Sequence, residues 1–255
     1  YRGTLLPLKA SGHTFAGEID KQPSDWDNLE MRIDEDCYNL KDLLRLGIHV
    51  GDFIAVDPQP DILENGYIVS RHLDDKAGVA VLLGAIKAVV DAGVTLPLDC
   101  HPLFTISEEV GVGASAVLHG DVAEMLTLDN GTTAPGQNSS EFGVTICMAD
   151  MSGPFDYHLT HRMLQICQEF EIPHQRDVFR YYRSDSAAAV EAGNDLRTAL
   201  ATFGVDGSHG WERIHWNALQ SLAQLVALYI QSPPLYDRDR SGRGPLAGFP
   251  TMRGY

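Results

Sequence analysis

The sequence predicts an α/β fold, a mixed sheet flanked by helices, preceded by a small β-rich module. Three observations carry that prediction. Strand and helix patterns alternate from Tyr67 onward, whereas the stretch before it shows short strands and turns with a single helical segment. A third is size: 255 residues, 44% hydrophobic and 21% charged, suffice for one sizeable core or a core plus a small second domain. The expected domains are 1–64 for the β-rich module, 65–232 for the α/β domain and 233–255 for a loosely held tail with Arg238, Arg240 and Arg243.

In the first module Leu29, Met31 and Ile33 alternate with charged neighbours, the period of a half-buried strand. Gly51-Asp52 turns the chain into an expected strand at 53–56, and Asn65-Gly66 signals a hairpin. The helical segment is 39–46. From Tyr67 the rhythm changes. A helix opens near Asp75, carries Val79, Leu82, Leu83, Ile86, Val89 and Val90 on one side, and stops at Gly93 and Pro97. Strands are expected at 103–106, 125–128, 144–148 and 196–203, and helices at 155–170, 186–191 and 217–231.

Charge narrows the function. Nineteen Lys and Arg stand against 35 Asp and Glu, a formal charge of −16, and such a surface repels nucleic acid and anionic membranes. No apolar stretch approaches the roughly 18 to 20 residues that span a bilayer. Cys37, Cys100, Cys147 and Cys167 form no CxxC pair and lie in or beside apolar segments, as free buried thiols of a reducing compartment do. No signal peptide is visible around Leu5-Leu6-Pro7-Leu8, so a cytoplasmic location is expected.

In an open α/β sheet the chemistry gathers where strands end. Here the expected strand ends lead into Asp74-Asp75, Glu108-Glu109, Asp129-Asn130-Gly131, and a loop with His209 and His215. A site for two divalent cations needs that set: one carboxylate to bridge, a further acid or imidazole on each ion, and a free carboxylate as base. Adjacent acids such as Glu108-Glu109 stay ionised after a buried strand only beside strong positive charge. Each piece alone has a plainer reading. Asp74-Asp75 reads as helix cap and first-turn acid, which we keep for Asp75; Glu108-Glu109 as a solvated loop; Asp129 as a turn former; His209 and His215 as hydrogen-bonded histidines before a helix. Finding all four at strand ends favours the joint reading.

The same residues resemble the co-catalytic zinc aminopeptidases, in particular the tetrahedral-aminopeptidase and glutamyl-aminopeptidase family. The matching features are Leu46 through Asp52, Leu73-Asp74-Asp75-Lys76-Ala77-Gly78, Ser107-Glu108-Glu109-Val110-Gly111, Asp129, and Glu212-Arg213-Ile214-His215, in order, up to about residue 232. The resemblance implies a phosphorylase/hydrolase-like catalytic sheet with a barrel or PDZ-like inserted domain. It implies two divalent ions, zinc with cobalt or manganese as alternatives. Asp74 would bridge them, Glu109 and His215 would complete one, Asp129 would serve the other, and Glu108 would be the general base. Short peptides are the implied substrates, and homo-oligomers from dimer to dodecamer the implied assembly.

One departure stands out. Members of that family begin with a segment carrying a His-x-Asp motif whose His is a further ligand of the ion shared with Asp129. Neither His13 nor His49 shows that pattern. The expectation is therefore a fragment with partial metal occupancy and little activity. Rival readings are a non-catalytic or single-metal descendant and a metal-free glycosidase working through two carboxylates. Three more expectations concern single residues: Ser184 or Asp185 as a helix cap, or as part of the near-substrate Gly-Thr-Asp segment that the resemblance implies there; Trp211 in the core, or packing a side chain in a specificity pocket; and Arg213 paired with a carboxylate of the site.

Overall fold

The computed structural model describes residues 1–237 and divides the chain into two compact units, Tyr1–Val56 and the chain from Asp57 onward. In the first unit β1 (Gly3–Pro7) pairs antiparallel with β2 (Leu29–Ile33), Leu5 opposite Met31. The short helix α1 (Gly12–Phe15) and 3₁₀ turns lie between them in the chain. The predicted helix is α2 (Leu40–Arg45), opened by Asn39, whose side-chain oxygen accepts the Asp42 N–H at 3.2 Å. The expected strand at 53–56 does not form: the segment has no ladder partner, and Phe53 is fully exposed. An apolar run has strand composition, but a strand exists only where its amides find a second edge. The module expected as a barrel or PDZ-like domain thus contains one strand pair among the described residues.

The second unit runs through β3 (Asp61–Ile62), β4 (Tyr67–Ser70), α3 (Leu73–Asp91), β5 (Glu124–Thr132), β6 (Val144–Asp150), β7 (Gly153–Pro154), α4 (Tyr157–Glu169), β8 (His174–Val178), α5 (Asp185–Glu191), β9 (Arg197–Val205), β10 (Glu212–His215) and α6 (Trp216–Ile230). The hairpin signalled by Asn65-Gly66 is β3–β4, with Gly66 at φ +92°, a conformation that a residue without Cβ adopts freely. Because β3 pairs with β4, residues 57–64 lie with the α/β unit. On its other edge β4 pairs antiparallel with β10.

The larger sheet is mixed, in the order β5-β9-β6-β7, with β8 also on β6. β5 and β9 run parallel, Asp129 opposite Thr202, while β6 runs antiparallel to β9 and parallel to β8. Period-2 alternation assigns the two faces. Ala199, Ala201, Phe203 and Val205 of β9 join Val144 and Ile146 of β6 in the main core, with α3, α4 and α6. Leu200 and Cys147 point the other way and pack with Phe155 and Phe179. Both faces are therefore covered, which is why β9 is almost continuously apolar. Phe203 has no exposed surface, a burial contributing about 1.5–3 kcal/mol.

Helix α3 differs from expectation in the face it buries. Ala77, Gly78, Val81, Ala85 and Val89 face inward, while Val79, Leu83 and Val90 are exposed. Small residues form the buried stripe because α3 packs against α6, and close approach favours small side chains over large ones. The expected strand at 103–106 is absent: Ile106 is 99% exposed, and β5, the nearest strand in sequence, pairs with β9 alone. Strands β8 and β10 escape sequence reading because His174–Val178 and Glu212–His215 are polar. Of the four thiols Cys147 and Cys167 are buried, which pushes both up to about 12, whereas Cys100 is exposed, contrary to expectation. Among the described residues no helix is long and apolar enough to cross a membrane. Residues 238–255 of the expected tail lie outside the described residues.

Candidate metal centre

Four segments of the second unit converge on one acidic cluster. At the start of α3, Asp74 and Asp75 have non-helical backbone and are joined by a cis peptide bond. The regular helix begins after them, and the Asp75 carboxylate accepts the Gly78 N–H at 3.2 Å, the capping role kept for it from sequence. Glu108 and Glu109 lie in a one-turn 3₁₀ helix, Glu108–Val110, between the two loop arms. Asp129 sits on β5, almost wholly buried, its Oδ1 accepting the Asn130 N–H at 2.7 Å. His209 lies in the loop joining β9 to β10.

The donor atoms form two groups that share Asp74. Asp74, Glu109 and His209 each place one ligand atom within 4.8 Å of the others, and so do Asp74, Asp75 and Asp129. His209 Nε2 stands 3.1 Å from Asp74 Oδ2 and 3.7 Å from Glu109 Oε2. The structure thus brings Asp74, Glu109 and Asp129 of the predicted set to one place. It does not bring His215 there. The His215 ring is packed by Tyr67 and Phe142, with Nε2 at 3.1 Å from the Asn65 carbonyl and Nδ1 accepting the Asn217 N–H at 3.1 Å. Both ring nitrogens serve the β10–α6 junction, the plainer reading of this histidine. His209, the other histidine of that loop, faces the acids instead.

A residue missed from sequence explains how. Glu212 is 1% exposed, and its carboxylate accepts three backbone amides: Leu73 N–H at 2.6 Å and Asp74 N–H at 3.1 Å on one oxygen, His209 N–H at 3.0 Å on the other. One buried side chain therefore ties the start of α3 to the His209 loop. His209 adopts φ +63°, an unusual backbone for a residue with a Cβ, and its amide is held there by Glu212. The signal was present as Glu212 in the matched motif, but its partners lie far apart in the chain. Arg213, expected at the site, instead forks onto Glu141 at 2.8 and 2.9 Å and reaches Asp206 at 3.3 Å. Trp211 is half-exposed rather than in the core, with the Arg71 guanidinium 4.8 Å from its ring centre.

Crowding perturbs the acids. Burial, then Glu109, lifts Asp74 to about 6. Burial, then Asp185, Glu109 and Asp74, lifts Glu108 to about 7. Asp75 is pushed well up by burial and then by Asp129 and Asp74, and Asp129 by burial and then by Asp74. Two carboxylates at such separations repel by roughly 3–4 kcal/mol in a protein interior of effective dielectric about 20. Either protons or cations must lie between them. Carboxylate oxygens and an imidazole nitrogen are donors that a borderline divalent cation takes, and its charge reverses the local penalty. The donor set therefore fits a metal.

Comparison with known proteins gives the family. The M42 glutamyl aminopeptidase family model matches residues 1–225. A Bacillus subtilis (strain 168) protein, "Putative aminopeptidase YhfE", is 38% identical over 233 residues, covering 91% of this chain and 67% of that protein. Among solved structures, the TET aminopeptidase of Thaumarchaeota archaeon SCGC AB-539-E09 superposes with TM-score 0.76 at 20% identity, over 93% of this chain and 68% of that one. The Pyrococcus horikoshii TET1 peptidase, described as assembling into a tetrahedron or a large octahedral shell, superposes with TM-score 0.70 at 24% identity, over 84% of this chain and 64% of that one. The chain thus spans about two thirds of the length of these relatives. With the family model matched along most of its length, this chain belongs to the M42 glutamyl aminopeptidases.

Proposed function

We propose that this chain carries the centre of a metal-dependent aminopeptidase that removes N-terminal residues from short peptides. The observation that carries the reading is the convergence of Asp74, Glu109 and His209 within 4.8 Å, beside a second group of Asp74, Asp75 and Asp129. Asp74, Glu109 and His209 would hold one divalent ion, with His209 in the place first assigned to His215. Asp74 and Asp129 would serve a second. Zinc suits carboxylate and imidazole donors, with cobalt or manganese as alternatives. The ions would supply positive charge to polarise the scissile carbonyl and to make water acidic near neutral pH.

The chain's own residues then divide the work. A carboxylate committed to cations cannot also shuttle protons, so Asp74, Asp129 and Glu109 hold and orient. Glu108 belongs to neither donor group and is lifted to about 7 without metal, so it exchanges a proton near neutral pH. It takes a proton from the attacking water as the C–O bond forms and hands it to the departing amine nitrogen as the C–N bond breaks. His209 and Asp74 stay fixed throughout because both backbones hang on Glu212.

Four measurements test this reading. In zinc titration calorimetry His209→Ala weakens the tightest site by about 100-fold, whereas His215→Ala leaves that affinity near wild type and lowers thermal stability by about 1 kcal/mol, the value of a lost helix cap. The reverse pattern would return the ligand role to His215. With an amino-acid p-nitroanilide, Glu108→Gln lowers kcat by about 10²–10⁴-fold while zinc stoichiometry stays unchanged. Equal turnover in the variant would remove Glu108 as the base.

The third measurement is pH dependence of metal-free stability. The raised acids bind more protons folded than unfolded, so their contribution is complete below about pH 4. It is lost as pH rises through about 6 for Asp74 and about 7 for Glu108. Metal-free protein therefore melts at lower temperature at pH 8 than at pH 5, and added zinc raises the melting temperature more at pH 8. A metal-free melting temperature that climbs over this range contradicts the crowding.

Assembly of identical chains, from dimer to dodecamer, belongs to the same proposal and is supported by the shells described for the TET1 peptidase. Sedimentation equilibrium should return a multiple of 27.9 kDa at micromolar concentration; a single-chain mass throughout would remove it.

A further inference from the structure

The geometry points to Asp185 as a positioning residue that fixes the Glu108-Glu109 loop, an inference that rests on the functional reading above. Sequence analysis expected Ser184 or Asp185 to cap α5. Ser184 holds the cap position, but no side chain makes a capping bond there. The Asp185 carboxylate, 7% exposed, turns away from its own helix instead. Its Oδ2 accepts the Thr105 hydroxyl at 2.6 Å and its Oδ1 accepts the Ala114 N–H at 3.0 Å. Thr105 enters the loop and Ala114 leaves it, so one carboxylate closes both ends of the segment bearing Glu108 and Glu109.

Two further features make this tether the main hold on the loop. Its own side chains give it little burial: Ile106 is 99% and Val110 75% exposed, so packing does little to fix its position. The hydrogen bonds inside it, such as Gly111 N–H to the Glu108 carbonyl at 2.6 Å, shape the turn without tying it to the sheet. The return arm also runs tightly past the tether. A Cβ built on Gly113 would overlap the Asp185 carboxylate and come within 2.8 Å of Thr105 Oγ1, so the approach needs glycine. Asp185 itself is set by α5, which packs on β5 and β9, the strands that carry and neighbour Asp129. The loop is thereby referenced to the strand bearing another proposed ligand, the kind of outer support that orients groups around a metal.

The test uses the full chain in three forms: D185A, T105V and D185N. Asparagine keeps one acceptor for the Ala114 N–H, and its amide can donate to Thr105 Oγ1, since a hydroxyl serves either way. Hydrogen exchange of the metal-free protein, zinc calorimetry, melting temperature and kcat against KM are read together. In D185A the peptide covering 105–114 exchanges at least about 10-fold faster, while peptides in β6 and α4 keep wild-type rates. Zinc affinity falls about 10–100-fold, and kcat falls by more than KM changes. T105V shows a smaller effect of the same kind, and D185N recovers most of both the exchange protection and the zinc affinity. Unchanged exchange over 105–114, a uniform rise across the sheet, or a D185N as impaired as D185A each overturns the inference. Exchange and calorimetry do not depend on turnover. A wild-type chain that binds no zinc yet shows the exchange pattern would sink the functional reading and leave the tether standing.

Discussion

Like charges confined at short range govern this molecule. Asp74, Asp75, Asp129 and Glu108 are all lifted, each first by burial and then by neighbouring carboxylates. A fold that optimised stability alone would disperse such groups, because each ionised pair repels by several kcal/mol in the interior. Their retention in one place makes sense when a positive charge enters among them. The cost of the metal-free arrangement and the affinity for a cation are then two sides of one electrostatic term.

A second set of carboxylates does the opposite work. Glu212 and Asp185 are also buried, and each spends its oxygens on backbone or hydroxyl donors. Hydrogen bonds to a charged acceptor are worth about 1.5–3 kcal/mol each, roughly twice a neutral one. These two side chains therefore spend their charge on geometry. Glu212 joins the start of α3 to the His209 loop, and Asp185 joins the two arms of the Glu108-Glu109 loop. Three of the four converging segments are thus hung from acids that belong to neither donor group. The fourth, carrying Asp129, is held by the sheet itself through the β5–β9 ladder.

The two histidines show why the site could be read only in part. His209 and His215 lie six residues apart, the first in the loop before β10 and the second at its last position, next to α6. Nothing in their composition or spacing distinguishes ligand from cap. The distinction comes from long-range partners: the Asn65 carbonyl and the rings of Tyr67 and Phe142 claim His215, while Glu212 turns His209 toward Asp74. Asp185 has the same history. Beside Ser184 at a helix start it reads as a cap, and only its contacts with Thr105 and Ala114 show otherwise. The absent strand at 103–106 and the unexpected β8 and β10 have a related cause, since strand formation depends on an available edge more than on apolar content.

By itself the sequence determined the α/β class, the helices from their periodicity and the hairpin at Asn65-Gly66, and it singled out the acids Asp74, Glu109 and Asp129 that the fold brings together, although Glu108-Glu109 follow no strand and Asp129 lies within β5. These are local properties: side-chain period, turn chemistry and residue type are written within a few positions of one another. The tertiary structure alone decided which histidine meets the acids, which face of α3 is buried, which apolar runs become strands, and which carboxylates bond to backbone amides of other segments. Each of those outcomes is fixed by a hydrogen bond or contact between segments remote in the chain, and such pairings are set by three-dimensional approach rather than by any local pattern.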